Sequence, residues 1–298
     1  MHQSGFVNII GKPNAGKSTL MNVLVGERMS AITHKPQTTR KRIIGIVNET
    51  HYQIVFSDTP GIIEKPSYKM QNAMNDYVFS AFEDADVLLL LITPDEVFDE
   101  QNPLIKRLKN TKIPALLLIN KIDTVSPEKL TPIIENWTSQ LNFKAVLQIS
   151  ALHKTNTNTI IPTILQYLPE GEPFYPKDQL TDRPERFFVS EIIREKILLL
   201  YHQEIPYSTE VIIESYKETT TNIGEPLVRI AAIIYVERQS QKPILLGKDG
   251  MLMKKLGTNA RKDIEVFLES KVFLELFVKV KDNWRDDERQ LKYFGYDN

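Results

Sequence analysis

The sequence predicts two domains: an α/β domain with a mostly parallel six-stranded sheet and helices on both faces, then a smaller α+β domain. Three observations support this prediction. The length of 298 residues favours two domains at about 150 residues each. Up to residue 168, continuous Leu, Ile and Val runs alternate with helical patterns, which is typical of parallel strands buried on both faces. A proline-rich stretch then precedes a different order of elements.

The first domain is predicted to span residues 1–170. Its strands are expected at residues 6–10, 42–47, 52–57, 86–92, 114–120 and 145–150. Helices are expected at residues 69–83 and 126–140, and Ser126-Pro127 opens the second of them. Strands that alternate with helices form crossover units, so the sheet should be mostly parallel.

The linker is predicted to span residues 171–184, and the second domain residues 185–298. The stretch LPEGEPFYPKDQLTDRP holds four prolines, which make it semi-rigid. The elements expected after it are a helix at 184–202, strands at 209–216 and 227–236, helices within 243–269, and a strand at 272–281. On the last strand, Phe273, Leu276 and Phe277 are predicted to lie in the core.

Composition excludes several classes of function. The chain has 37 Lys and Arg against 38 Asp and Glu, so a nucleic-acid site must come from local clustering of charge. It has no cysteine, which excludes disulfides and cysteine-ligated metals. The N-terminus lacks the basic segment of a cleaved signal, and the longest apolar run is far below the ~20 residues that span a bilayer. We expect a soluble protein.

GKPNAGKS, residues 11–18, fits the phosphate-binding pattern G-x-x-x-x-G-K-[ST] between a predicted strand and a predicted helix. The glycines let backbone N–H groups surround phosphate oxygens, and the helix N-terminus adds a favourable dipole. Lys17 is predicted to reach the β- and γ-phosphates, and Ser18 to bind Mg²⁺. The predicted nucleotide contacts in this loop are Gly11, Asn14, Ala15, Gly16, Lys17, Ser18 and Thr19.

DTPG, residues 58–61, follows the third strand, where a metal-side carboxylate is expected. Asp58 should hold Mg²⁺ through water, and the Gly61 N–H should sense the γ-phosphate. A lone Asp-Thr-Pro-Gly is more often a plain turn, but its place downstream of the phosphate loop favours the site. Thr59 and Pro60 are therefore included among the predicted nucleotide contacts.

The polar segment HKPQTTRKR, residues 34–42, lies between the phosphate loop and the third strand. One of its threonines is expected to close on Mg²⁺ when the γ-phosphate is present. We prefer Thr39 over Thr38 for this role. The predicted metal ligands are then Ser18, Thr39 and Asp58, and the predicted catalytic residues are Lys17, Thr39 and Gly61.

NKID, residues 120–123, ends the fifth strand and predicts which base is bound. The Asp123 carboxylate can accept two hydrogen bonds from guanine, whereas adenine offers no matching pair of donors. Such a site discriminates by about 10⁴-fold, so GTP is the expected substrate and an ATPase is disfavoured. The Ala151 N–H is expected at the guanine oxygen. The predicted base contacts are Asn120, Lys121, Asp123, Ser150, Ala151 and Leu152.

GKDG, residues 247–250, is a second candidate phosphate-binding loop. Two glycines between helices let a nucleic-acid backbone approach closely. Six basic residues against one acidic residue between positions 242 and 262 make this a local basic patch. The predicted RNA contacts are Ile244, Leu245, Gly247, Lys248, Asp249, Gly250, Met251, Lys254 and Lys255. The alternative is a helix–helix turn with a solvated lysine face, but the α-β-β-α-α-β order favours single-stranded RNA.

These motifs, together with QTTR, SAL, the linker and the C-terminal VKVKDNWRDDERQLKYFGY, resemble the Era family of bacterial GTPases. The resemblance implies a P-loop NTPase domain joined to a type II KH domain. It implies a Mg²⁺-dependent GTPase that exchanges GTP and GDP, binds the 3′ end of 16S rRNA and acts in maturation of the 30S ribosomal subunit. We expect a cytoplasmic monomer; some family members lie at the inner surface of the cell membrane, which makes peripheral membrane attachment an open alternative.

Ile62 follows DTPG, where many GTPases have a glutamine that orients the attacking water. Because an aliphatic side chain cannot hydrogen-bond water, intrinsic hydrolysis should be slow, at about 10⁻⁴–10⁻² s⁻¹. Asn14 is a candidate ligand for K⁺, which would supply the missing positive charge. Ile62 also keeps an alternative function open, a nucleotide-gated RNA-binding adaptor with incidental hydrolysis.

Overall fold

The computed structural model describes residues 2–296. Contacts between residues divide this part of the chain into two compact units: residues 2–67 and 71–182 form the first, and residues 68–70 and 183–296 form the second. The first unit contains a six-stranded sheet and the second a three-stranded sheet. The predicted fold classes, α/β followed by α+β, are confirmed.

The first sheet is mostly parallel, as predicted. Its strands are β1 (Gln3–Ile10), β2 (Ile43–Asn48), β3 (Tyr52–Asp58), β4 (Val87–Ile92), β5 (Ala115–Ile119) and β6 (Ala145–Gln148). Their spatial order is β2-β3-β1-β4-β5-β6, in which β2 pairs antiparallel with β3 and the other pairs are parallel. Strand order reverses beside β1, and such a point is where open α/β sheets bind ligands, outside the carboxyl ends of the strands.

The helices of the first unit are α1 (Lys17–Val25), α2 (Lys69–Ser80), α3 (Pro103–Asn110), α4 (Leu130–Gln140) and α5 (Ile160–Leu165). The predicted helix at 69–83 ends earlier, at Ser80. The one predicted at 126–140 begins later, because a 3₁₀ turn at Pro127–Lys129 precedes it. The short helix α3 starts at an N-cap residue, Asn102, whose side chain accepts a 2.9 Å hydrogen bond from the Leu104 N–H.

The linker packs along one edge of this sheet. The side chain of the fully buried Gln53 on β3 accepts hydrogen bonds from the Phe174 and Tyr175 N–H groups and donates to the Tyr175 carbonyl, at 2.7 to 3.0 Å. The Ile46 N–H on β2 donates to the Leu180 carbonyl at 2.8 Å. Residues 171–182 therefore cover the exposed side of an edge strand, which the prediction of a semi-rigid linker did not include.

The second unit follows the predicted order of elements. These are α6 (Glu185–Leu200), β7 (Thr209–Thr220), β8 (Pro226–Val236), α7 (Gln241–Leu246), α8 (Met251–Leu268) and β9 (Lys271–Val280), with α9 (Glu288–Tyr293) after them. β7 pairs antiparallel with β8, and β8 pairs parallel with β9. One face of this sheet packs with α6 and α8 around a shared apolar core.

The predicted core position of Phe273 and Phe277 is wrong, because both side chains are nearly half exposed. Side chains alternate between the faces of a strand, and Leu274, Leu276 and Val278 occupy the inner face of β9.

Among residues 2–296, helices long and apolar enough to cross a bilayer are absent.

Candidate nucleotide and RNA sites

A cavity of about 470 Å³ lies where β1, β3 and β5 end, and its size suits a nucleotide. The predicted nucleotide residues that line it are Asn14, Gly16, Lys17, Ser18, Thr19, Thr59, Gly61, Asn120, Lys121, Asp123 and Leu152. The predicted residues Gly11, Ala15, Asp58, Pro60, Ser150 and Ala151 are buried or half-buried behind this lining. The cavity is also lined by residues 31–33, which we had not predicted because their sequence, Ala-Ile-Thr, carries no polar motif.

The phosphate loop joins β1 to α1 through a backbone that few residues can adopt. Asn14 and Gly16 have φ angles of 63° and 100°. A Cβ at Gly16 would also lie 2.3 Å from Asn120 Nδ2, so this position requires glycine for both conformation and space. The loop thereby places the N-terminus of α1, a natural anion-binding point, beside the cavity.

Lys17 at the start of α1 is held by the loop itself. Its ammonium donates to the Gly11 carbonyl at 3.0 Å and to the Lys12 carbonyl at 2.9 Å. Burial lowers the pKa of Lys17 to about 8, and the nearby Asp58 carboxylate opposes that shift. The Lys17 ammonium is therefore already held at the cavity wall, and a bound phosphate would stabilise its charged form.

Three oxygens form a compact cluster at the predicted metal site. The Ser18 hydroxyl donates to Asp58 Oδ2 at 2.8 Å, and the Thr39 hydroxyl donates to the same oxygen at 3.1 Å. The two hydroxyl oxygens are 2.9 Å apart. Asp58 Oδ1 is buried without a hydrogen-bond partner among the described residues. A buried carboxylate with two hydroxyls is a donor set that fits Mg²⁺, which prefers oxygen ligands.

The two threonines of the segment 34–42 differ in their contacts. Thr39 Oγ1 lies in the oxygen cluster, whereas Thr38 Oγ1 donates to the Lys35 carbonyl at 2.7 Å and lies 2.6 Å from Thr33 Oγ1. Thr39 is thus the threonine that contacts Asp58 and Ser18, and its role as a metal ligand stays a prediction.

The base end of the cavity is organised by Asn120, which is almost fully buried. Its amide donates to the Ala15 carbonyl at 2.8 Å and accepts from the Ala151 N–H at 2.9 Å. Asn120 therefore ties the phosphate loop to the segment after β6. We predicted the Ala151 N–H at the guanine oxygen. In this structure it donates to Asn120 Oδ1, so it would have to donate to guanine and Asn120 at once.

Asp123 lies at the rim, beside the buried Asn120. A hydrogen bond from the Ser150 side chain holds the pKa of Asp123 below its ordinary value, so its carboxylate is ionised and can accept hydrogen bonds. His153 Nε2 lies 3.7 Å from Asp123 Oδ2 and adds to the same effect. Lys121 donates to the Asn14 carbonyl at 2.8 Å and connects this segment to the phosphate loop.

Ile62, the residue after DTPG, lies in the core with Val78 and Phe82. Ile62 is not among the described residues that line the nucleotide cavity. An aliphatic side chain that is also buried offers the attacking water no hydrogen bond. Water positioning must therefore come from groups other than the side chain at this position.

The GKDG turn joins α7 to α8 in the second unit. Gly247, Asp249 and Gly250 all have positive φ angles, of 72°, 51° and 74°. A Cβ at Gly247 would meet Leu252 at 2.6 Å, whereas one at Gly250 would meet nothing within 4 Å. The first glycine is thus required by packing, and the second leaves its backbone open to a close approach from outside.

The predicted RNA contacts divide between surface and core. Lys248, Lys254 and Lys255 are exposed, as are the apolar side chains of Ile244 and Met251. Leu245 is fully buried and its carbonyl accepts a 2.7 Å hydrogen bond from Tyr201, so it supports the turn from below. Exposed lysines beside apolar side chains at an open turn suit a phosphate backbone with unstacked bases.

Comparison with known proteins identifies both units. A family model described as a 50S ribosome-binding GTPase matches residues 6–121, and a KH domain model matches residues 204–285. The chain is 44% identical over 297 residues to GTPase Era of Syntrophus aciditrophicus, covering 99% of this chain and 96% of that protein.

Two solved structures match the whole chain with a TM-score of 0.91. One is a variant of Aquifex aeolicus Era bound to GDP.AlF4-, 37% identical, with 99% of this chain and 100% of that chain covered. The other is Era in complex with MgGDPNP and nucleotides 1506–1542 of 16S ribosomal RNA, 38% identical, with 100% of both chains covered.

The fold and the two loops define a P-loop GTPase joined to a KH domain. An identity of 44% over nearly the full length of both chains is enough to assign the family. The chain belongs to the Era family of GTPases. The resemblance that we expected from the motifs is confirmed.

Proposed function

We propose that this GTPase hydrolyses the β–γ bond of GTP with Mg²⁺, and binds 16S rRNA near its 3′ end through its KH domain during assembly of the 30S subunit. One observation carries the proposal: a cavity lined by the phosphate loop and Asp123, with the Ser18–Thr39–Asp58 oxygen cluster beside it, occurs in the same chain as an open, lysine-flanked GKDG turn. The solved Era complex, which holds both MgGDPNP and a 16S rRNA segment, supports the same pairing of ligands.

In the phosphate half of the site, Lys17 would turn from the Gly11 and Lys12 carbonyls to the phosphates. Ser18, Thr39 and Asp58 would hold Mg²⁺. When bound, the ion neutralises charge on the β- and γ-phosphates. The Gly61 N–H would contact the γ-phosphate, as the position of this glycine on the cavity wall allows.

At the other end of the site, the ionised Asp123 would accept from the guanine N–H groups. The other predicted nucleotide contacts remain part of this proposal. In the second unit, Ile244, Gly247, Lys248, Asp249, Gly250, Met251, Lys254 and Lys255 would contact RNA, with Leu245 beneath them.

We further propose that K⁺ supplies positive charge near the phosphates with Asn14 as a ligand. The support is that Ile62 is buried and offers the attacking water no hydrogen bond. The chain is also proposed to be a monomer and to act in the cytoplasm, where its ribosomal RNA ligand resides. Peripheral attachment to a membrane stays a prediction from the family resemblance.

The alternative function, a nucleotide-gated RNA-binding adaptor, is kept because of the buried Ile62. Single-turnover GTP hydrolysis, measured in K⁺ and in Na⁺ with and without a 16S rRNA 3′-end oligonucleotide, separates the two functions. We expect slow hydrolysis that RNA and K⁺ each accelerate.

A rate that RNA leaves unchanged favours the adaptor, and equal rates in K⁺ and Na⁺ remove the potassium proposal. A variant with Gly250→Asp in the GKDG turn is the control. It should lose the RNA stimulation but keep the basal rate, because Gly250 lies in the other unit and the strain of a side chain at its φ of 74° falls on the turn under test.

A further inference from the structure

The loop between β4 and α3, residues 93–102, is held firmly in the first unit although it carries no recognised motif. Phe98 packs edge-on against the buried Trp137 with ring centres 5.1 Å apart. At its other end, Asn102 caps α3 and its amide donates to Glu64 Oε1 at 3.1 Å. The loop therefore contacts the segment that follows DTPG.

Glu96 in the same loop points to the phosphate loop. Its carboxylate lies 3.8 Å from Lys12 Nζ, and its side chain is 9% exposed against 35% for Lys12. The backbone of Lys12 is also engaged, since its carbonyl accepts from Lys17 Nζ at 2.9 Å. Glu96 thus contacts the residue whose carbonyl holds the phosphate-binding lysine.

This ion pair lies behind the phosphate loop. Lys12 and Glu96 line a small cavity of about 10 Å³ together with Asn102 and Trp137. Neither Lys12 nor Glu96 is among the described residues that line the 470 Å³ nucleotide cavity. The pair can therefore act on the nucleotide through the shape of the loop.

Glu96 is surrounded by charges of both signs. Lys12 and Lys17 face it from the phosphate loop, and Asp95 faces it from its own loop. Asp99, also in that loop, lines the same small cavity. Burial is the largest effect and raises the pKa of Glu96 to about 7, while the two lysines oppose the shift. The charge on this carboxyl group consequently changes close to neutral pH.

We propose that Glu96 is a positioning residue for the phosphate loop: its ionised carboxylate fixes Lys12, and protonation releases Lys12 and weakens guanine-nucleotide binding. The inference rests on the proposed function in one respect, that guanine nucleotide occupies the 470 Å³ cavity. A wild-type chain that binds no GDP would refute that function. Wild-type binding without a Glu96 effect would refute only the inference.

The experiment compares fluorescent-GDP affinity of the wild type, Glu96→Gln and Glu100→Gln from about pH 6 to pH 8.5. Glu100 is the matched control because it lies in the same loop but is exposed and paired with Lys109. We expect the wild type and Glu100→Gln to bind about three- to fivefold more tightly than Glu96→Gln at high pH. The curves should converge at low pH, where the wild-type carboxyl is protonated. Lys12→Gln should reproduce the Glu96→Gln curve.

Thermal stability separates positioning from a structural role. Because the folded-state pKa of Glu96 is raised, its stabilising contribution is present at low pH and is lost as pH rises through about 7. Glu96→Gln should therefore be at least as stable as the wild type at high pH while it binds GDP more weakly. A structural residue would lower both.

The proposal is overturned if Glu96→Gln binds GDP as tightly as the wild type at high pH, or more tightly. The second result would mean that repulsion between Glu96 and the phosphates outweighs the positioning of Lys12. It is equally overturned if Glu96→Gln unfolds at a lower temperature than the wild type at high pH.

Discussion

Two buried charges dominate the electrostatics of the nucleotide site at the scale of single residues. Burial lowers the pKa of Lys17 to about 8 and raises the pKa of Asp58, and each charge partly opposes the shift of the other. Hydrogen bonds from Ser18 and Thr39 also favour the charged form of Asp58. Phosphate and Mg²⁺ would supply each of these groups with a stronger partner, so the site is arranged for ligands of both signs.

Asp123→Asn tests the proposed choice of base. An asparagine amide presents a donor where guanine also has one, so GTP affinity should fall by about 10²-fold or more. Xanthosine triphosphate has a carbonyl at that position and should gain affinity. Competition binding with the two nucleotides measures the change. Asp76→Asn on the exposed face of α2 is the control and should leave both affinities unchanged.

An Asp123→Asn variant that still prefers GTP would remove the role of this carboxylate. The folded structure would then have to select guanine through other groups at the rim, such as Lys121 or the backbone after β6.

At this scale the motif residues could be predicted, because phosphate, metal and base each require particular side chains at fixed spacing. The Glu96–Lys12 contact could not, since the two residues lie on different loops and no periodicity relates them. Asn120 shows a middle case. The motif placed it at the site, but its role in joining the phosphate loop to Ala151 depends on three-dimensional contacts.

At the scale of elements, the linker illustrates how backbone contacts escape sequence analysis. Continuous apolar runs predicted the strands. Residues 171–182, in contrast, attach to β2 and β3 largely through their main-chain groups, which every residue type possesses. Side chains add to these contacts: the buried Gln53 amide uses both donor and acceptor atoms, Asn48 donates to the Gln179 carbonyl at 3.1 Å, and Thr181 donates to the Ile44 carbonyl at 2.7 Å. An isolated Gln within an apolar strand was one signal in the sequence, but a polar side chain does not reveal which segment it contacts.

Gln53→Ala should detach part of the linker from the sheet. It leaves the Phe174 and Tyr175 N–H groups and the Tyr175 carbonyl without their buried partner, at a cost of about 2–4 kcal/mol. Amide hydrogen exchange of residues 172–181 should accelerate, and the denaturant midpoint of the first unit should fall. Gln140→Ala at the exposed end of α4 should change neither. Unchanged exchange in the linker would show that Gln53 does not anchor it.

For the whole molecule, the organisation follows from each unit having apolar core residues of its own. In the first unit, one apolar cluster lies among β4, β5, α3 and α4, and in the second unit a cluster lies among α6, α8 and the three-stranded sheet. Alternating strands and helices predicted the first and the change of element order predicted the second. The predicted domain limits of 170 and 185 leave the linker between them, and the contacts of residues 171–182 join it to the first unit.

The position of the linker predicts how the chain can be divided. A fragment of residues 1–182 keeps the Ile46–Leu180 hydrogen bond and the contacts of Gln53, whereas a fragment of residues 1–170 loses both and exposes β2 as a sheet edge. With about 2–4 kcal/mol lost, its unfolding temperature should be lower by about 5–10 °C. Calorimetry measures this difference, and light scattering should detect association of the shorter fragment through its open edge. Because both fragments retain the phosphate loop and Asp123, each should bind GDP at a temperature where it is folded. If the shorter fragment were as stable as the longer one, the linker would contribute nothing to the first unit.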